Sequence, residues 1–231
     1  MAPDPLQLSD VAVTVEATDR PATAAAYTAL LGPADSVTGR WSAGNGAIAA
    51  ADAGDGAAGV SAAFQVADPD GAARLLARRG SAVTGHGGVR WFDAAPAVGI
   101  TGAAGARPGA PLLDHIVFTA PSVDVAIALF AGRLGANLRL VRTFGEVHQV
   151  FFRTSTVVIE VLAGADGAGP GIEVWGLAWR CPDLDAEHRR LTGAGLPVSD
   201  IRAGRKPGTR VATIREPALG TPTILLEQTE P

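Results

Sequence analysis

Glu160 is the residue hardest to reconcile with an inert role. It sits inside the run Val157, Val158, Ile159, Glu160, Val161, Leu162, and a carboxylate in an apolar strand is costly to bury unless it is paired or bound to a metal. A second strand-like run near the C-terminus carries Glu227, and TSTVVIEVL and TPTILLEQ align so that Glu160 falls on Glu227. Two carboxylates at matched places point to a shared site for catalysis or for a cation. His115 opens the run HIVFT and adds an imidazole, the side chain suited to proton transfer or metal ligation near neutral pH. His148 is a candidate extra ligand, and its direction depends on the turn after its strand. Pairing Arg153 with Thr156 turns it away from Glu160, whereas a three-residue loop turns it toward Glu160. The segment IRAGRKPGTRVATIRE holds Arg205 and Arg210, whose guanidinium forks match a carboxylate or phosphate of a substrate. Trp175 is a candidate apolar wall.

These residues need elements to hold them, and one unit recurs four times along the chain: a short apolar strand, a turn with Asp or Pro, an amphipathic helix, then glycine. The copies are DVAVTVEATDRPATAAAYTALLG, SAAFQVADPDGAARLLARRG, DHIVFTAPSVDVAIALFAGRLG and GLAWRCPDLDAEHRRLTGAG. Ser122 and Asp183 are expected N-caps, and Gly135 and Gly195 expected helix stops. Each helix is followed by enough chain for about three short antiparallel strands, so each unit reads as βαβββ. The stretch Gly102 to Pro111 has two prolines and no apolar periodicity, which makes it the linker between a first pair of units and a second. The resulting expectation is an α+β protein of tandem paired modules. Residues 1–104 form a structural N-terminal domain, 105–111 a linker and 112–231 the domain with the site. Paired units join into strongly curved mixed sheets with helices outside, so the concave side becomes a pocket. In the N-terminal pair Val11 and Ser61 stand where His115 does, and neither pair member has a matching glutamate.

The run DHIVFTAPSVDVAIALF…VVIEVL, followed by GLAWRCPDLDAEHRRLTGAGL…PTILLEQ, resembles the vicinal oxygen chelate superfamily. That group includes glyoxalase I, bleomycin-resistance proteins, methylmalonyl-CoA epimerase and extradiol dioxygenases. The resemblance spans residues 112–229, with 8–102 as a degenerate copy. It implies two glyoxalase-like domains and one divalent metal ion (Fe, Mn, Zn or Ni) on the concave sheet. It also implies His115, Glu160 and Glu227 as ligands, with Gly176 at the fourth position unable to ligate. Glu160 and Glu227 are the implied catalytic groups, one of them leaving the metal to act as base. The implied activity is a metal-dependent lyase or isomerase acting on a small oxygenated molecule. The alternatives are a metal-free sequestering protein of the bleomycin-resistance type, and a non-haem iron dioxygenase. A homodimer is among the implied assemblies.

Composition narrows the partners. The chain of 231 residues has 19 basic and 23 acidic side chains, too little positive charge for a phosphate-neutralising face, so a nucleic-acid partner is not expected. The N-terminus lacks a basic segment leading into an apolar one, and no run is long enough to span a bilayer; the expected location is the cytoplasm. The single cysteine, Cys181, excludes an intrachain disulfide and reads as a buried residue.

Overall fold

A computed structural model describes residues 4–54, 59–86, 88–164 and 169–228. Its first unit comprises β1 (Val11–Ala17), α1 (Arg20–Leu31), β2 (Trp41–Ala43) and β3 (Gly46–Asp52). The second has β4 (Val60–Gln65), α2 (Pro69–Arg78), β5 (Val83–His86), β6 (Val89–Phe92) and β7 (Ala95–Thr101). The third has β8 (Leu112–Ala120), α3 (Val123–Ile127) continued by a π-helical stretch Ala128–Arg133, β9 (Asn137–Phe144), β10 (Val147–Arg153) and β11 (Val158–Ala163). The fourth has β12 (Glu173–Arg180), α4 (Leu184–Gly193), β13 (Arg202–Ala203), β14 (Thr209–Ile214) and β15 (Thr223–Gln228). The four-unit plan expected from the repeats is present. The first unit differs in having two strands after its helix among the described residues, instead of three.

All four helices start the same way. Asp19, Asp68, Ser122 and Asp183 each accept the backbone N–H three residues on, satisfying one of the donors that a helix N-terminus leaves without an intrahelical partner. Gly135 and Gly195, both at positive φ, stop the third and fourth helical segments at low steric cost.

The strands form two mixed sheets, ordered β2-β3-β1-β4-β7-β6-β5 and β13-β14-β15-β12-β8-β11-β10-β9. Within each unit the first and last strands are parallel neighbours: β1 with β3, β4 with β7, β8 with β11, β12 with β15. Antiparallel pairing of first strands, β1 with β4 and β8 with β12, joins the units two by two.

Strand side chains alternate between faces, and burial identifies the faces. Ile116, Phe118 and Ala120 of β8, Phe152 of β10 and Ile159, Val161 and Ala163 of β11 lie in the core. There Phe118 and Phe152 pack on Phe130 of the helical stretch at ring distances of 5.0 and 5.4 Å. The core continues from one sheet into the other through Phe64 and Phe118. Polar ties cross the same boundary: Asn45 exchanges hydrogen bonds with the backbone of Leu113, and the Tyr27 hydroxyl donates to the Leu219 carbonyl. Among the described residues no helix is long and apolar enough to cross a membrane.

Candidate functional site

Alternation places Glu160, flanked by core-facing Ile159 and Val161, on the helix-free concave face of the C-terminal sheet. His115 alternates with Ile116 in the same sense and joins it there: His115 Nε2 lies 3.7 Å from Glu160 Oε2, each side chain 14% exposed. Gln149 on β10 donates from Nε2 to Glu160 Oε1 at 2.8 Å. Phe151, directly across from Glu160, and Val117, beside it on β8, complete the surroundings.

The other imidazole nitrogen of His115 is held by its sequence neighbour, Nδ1 lying 3.0 Å from Asp114 Oδ2. Adjacent strand residues ordinarily point to opposite faces, and a β-bulge removes that obstacle. Along the β8–β12 pair Ala178 faces His115 and Trp179 faces Leu113, so Asp114 is the extra residue, and bulges re-aim side chains in this way. Arg180 donates twice to the other Asp114 oxygen, at 2.6 and 3.0 Å. Burial is the largest influence on the Asp114 carboxyl and pushes its pKa up. The hydrogen bonds from His115 and Arg180, with their charges, outweigh it and hold the pKa down at about 2. An ionised Asp114 keeps the proton of a neutral His115 on Nδ1 and leaves the Nε2 lone pair facing Glu160. Glu160 behaves oppositely: burial raises its pKa above the ordinary value, only partly opposed by His115, Arg205, Gln149 and Arg142.

Glu227 does not join this group. It shares a face with core-facing Leu225, accepting the Leu184 N–H at the start of α4 at 3.2 Å and pairing with Arg210 at 2.9 Å. The register explains the difference. Val158 lies beside His115, and Glu160 is two residues further on. In the fourth unit Leu177 lies beside Thr223, so Gly176 is level with Pro222 and the position two further on is Ile224. The alignment of TSTV with TPTI matched the turn between β10 and β11 to the beginning of β15, a slip of three residues, and an odd slip reverses the face. Gly176 has no side chain to offer, and a Cβ there would stand 3.0 Å from the Pro222 carbonyl oxygen, a tight contact.

The other candidates divide in the same way. His148 pairs across from Ala163 and bonds Thr143 at 3.1 Å, turned away from Glu160 because four residues separate Arg153 from its partner Val158. Gln149, its neighbour, is the β10 residue that reaches Glu160. Arg210 is committed to Asp185 and Glu227 on the helix side. Arg205 acts electrostatically on Glu160. Trp175 is the extra residue of a second bulge, in β12, and is 48% exposed. Sequence reading missed Asp114, Gln149 and Arg142. Asp114 was within reach as a carboxylate adjoining His115, but the bulge that aims it leaves no mark in the chain.

Two cavities lie elsewhere. One of about 380 Å³ occupies the matching face of the N-terminal sheet, lined by Ala12, Thr14, Ala47, Ala49, Ala63 and Trp91, with Arg40 at its side. Ala12, not Val11, therefore stands where His115 does, because Val11 faces the core. The other, of about 430 Å³, lies between α1 and the start of α4. Cys181 borders it, but burial pushes that thiol up to about 12, too high for a thiolate nucleophile near neutral pH.

A divalent ion touching both His115 Nε2 and a Glu160 oxygen is compatible with their 3.7 Å separation, given bonds of about 2.0–2.2 Å. Catalytic ions normally take three protein ligands, and among the described residues no group of three His, Cys, Asp or Glu side chains is disposed to hold one. The ligand set does not fit the ion without help from Gln149 or substrate.

Residues 114–213 match the glyoxalase/bleomycin resistance protein/dioxygenase superfamily. The fold of the whole chain is that of a 4-hydroxymandelate synthase variant from Streptomyces coelicolor, at TM-score 0.75 and 14% identity, covering 97% of this chain and 94% of that one. A fusion of a xylose isomerase-like TIM barrel with 4-hydroxyphenylpyruvate dioxygenase shares it at TM-score 0.68 and 12% identity, over 99% of this chain and 50% of that one. Methylmalonyl-CoA epimerase from Mycobacterium tuberculosis is 25% identical over 52% of this chain and 88% of its own, at TM-score 0.43. No curated protein sequence matches the chain.

Proposed function

We propose that the chain is an isomerase or lyase that moves a proton on a carbon next to an oxygenated centre of a small molecule, on the concave face of the C-terminal sheet. The observation that carries this reading is the pairing of Glu160 with His115 on that face, His115 being fixed from behind by Asp114. A carboxylate whose pKa is raised by burial is a stronger base than an exposed one, and efficient acid–base groups sit closer to the working pH. Glu160 takes the proton, and the carbon's electron pair moves onto the neighbouring carbonyl oxygen. The protonated Glu160 then returns the proton to the carbon, with the His115 Nε2 lone pair placed to accept a hydrogen bond from its carboxyl group. Gln149 holds one Glu160 oxygen and so fixes the direction of the other.

A sequestering cup is the second reading. It is favoured by the other half of the concave face, where Gly176, Ala178 and Ile224 offer no ionisable group.

The two readings part in heavy water. Wild type and Glu160→Gln are incubated with hydroxyketones, oxo acids and thioesters, and the signal of the proton next to the carbonyl is followed by NMR, with and without added divalent metal. Exchange by wild type that is lost in the variant supports the enzyme. Binding of these compounds with no exchange under either metal condition leaves the cup as the function.

A further inference from the structure

We propose that the cavity of about 430 Å³ where the two halves of the chain meet is a second ligand site, separate from the concave face. It takes a neutral apolar molecule carrying one hydrogen-bond acceptor, and its occupancy is felt at His115 through Arg180.

α1 supplies Leu30 and Leu31 to the cavity, β12 supplies Trp179 and β15 supplies Leu225, and all four are buried. Leu112 stands with them, 39% exposed. Arg190 of α4 donates to the Ala29 and Leu30 carbonyls at the end of α1, at 2.7 and 2.9 Å, so the two helices that border the cavity are tied before any ligand arrives. Pre-formed, mainly apolar cavities of this size between domains are favoured places for small molecules.

Trp179 defines the occupant. Its side chain lines the cavity and is 2% exposed, and its indole Nε1 is screened from water with no hydrogen-bond partner among the described residues. A buried tryptophan N–H ordinarily finds an acceptor, and leaving it without one is costly. A carbonyl or ether oxygen carried by a ligand is the missing acceptor, met by a slight turn of the ring into the space it lines. Charge narrows the class. Asp183 and Glu187 also line the cavity and would repel an anion, and Arg180 would repel a cation. Asp183 is engaged by the Ala186 N–H, Glu187 by Arg190 and Arg180 by Asp114, so none of the three calls for a charged ligand.

Arg180 connects this cavity to the concave face. It lines the cavity and donates twice to one oxygen of Asp114, whose other oxygen holds His115 Nδ1. A molecule packed against Arg180 therefore touches the side chain that steadies the support of His115. A small shift of the guanidinium is passed on by hydrogen bonds, which depend steeply on distance and angle.

The test titrates acetophenone and 2-phenylpropene, alike in shape and differing in the oxygen, into wild type, Trp179→Phe, Ala186→Leu and Glu160→Gln, with binding followed by NMR and folding checked by circular dichroism. Trp179→Phe identifies the Trp179 indole N–H signal by its loss. In wild type that signal should move downfield with acetophenone and not with 2-phenylpropene, and the His115 ring signals should shift with it. Trp179→Phe should weaken acetophenone about tenfold, the size of one net hydrogen bond, and leave 2-phenylpropene little changed. Ala186→Leu, which puts bulk from α4 into the cavity, should abolish binding of both, and Glu160→Gln should leave it intact. The proposal is overturned by no acetophenone binding up to its solubility limit, by binding that survives Ala186→Leu or is lost in Glu160→Gln, by equal binding of benzoate or benzylammonium, or by an unmoved indole signal. Binding that leaves the His115 ring signals in place overturns the link through Arg180. None of these readouts measures turnover, so they stand apart from the heavy-water experiment.

Discussion

The two sheets share an architecture and differ in what their free faces carry. Alanines line much of the N-terminal face, which opens a cavity of about 380 Å³; the C-terminal face carries a histidine, a glutamate and a glutamine in mutual contact or hydrogen bond. Caps and parallel pairing recur in both halves, so neither accounts for that difference. A fold is a frame, and side chains on one face of it decide what it can do. The C-terminal sheet repeats the lesson within itself, since its third unit supplies His115 and Glu160 and its fourth presents Gly176 and Ile224 at the equivalent places.

Glu160→Gln should sharpen the contrast most. Proton exchange should fall by about 10²-fold or more, the usual loss for an acid–base group, whereas Thr14→Val on the N-terminal face should leave it unchanged; equal losses would break the comparison. The same variant has a pH signature. Because the folded pKa of Glu160 is raised, the native state binds more protons than the unfolded chain, and stability falls as pH rises through the interval between the unfolded and folded values. Glu160→Gln should gain over wild type above that interval in urea unfolding.

Asp114→Asn should come next. Exchange should drop about tenfold, the lower figure for loss of a group that orients a histidine, with the pH dependence of the rate altered. Its folded pKa of about 2 lies below that of an unfolded aspartate. The stability it contributes, about 2 kcal/mol, is present above roughly pH 4 and lost as pH falls toward 2. The difference between wild type and variant should therefore shrink across that window in denaturation at pH 7 and pH 3.

Glu227→Ala should cost about 1 kcal/mol in thermal unfolding, for the lost bond at the start of α4 and the Arg210 pair, with exchange intact. A large loss of exchange would mean that the helix side of the sheet matters to the reaction. His148→Gln should change stability by less than about 0.5 kcal/mol and exchange not at all.

The chain alone specified the four-unit plan, because each unit announces itself locally: an apolar strand, a capping Asp or Ser, a helix, a glycine stop. It also singled out Glu160, since a carboxylate among Val157, Val158, Ile159 and Val161 is conspicuous without any knowledge of neighbours. Tertiary structure decided which candidates meet. Face depends on parity, and parity depends on the number of residues in a turn or a bulge. Four residues between Arg153 and Val158 turned His148 away and brought Gln149 in. A three-residue offset sent Glu227 to the helix side, and one extra residue at Asp114 fixed His115 from behind. Arg142 lies next to the site through the pairing of β9 with β10, across from Gln149, a property of pairing that no single stretch of sequence contains.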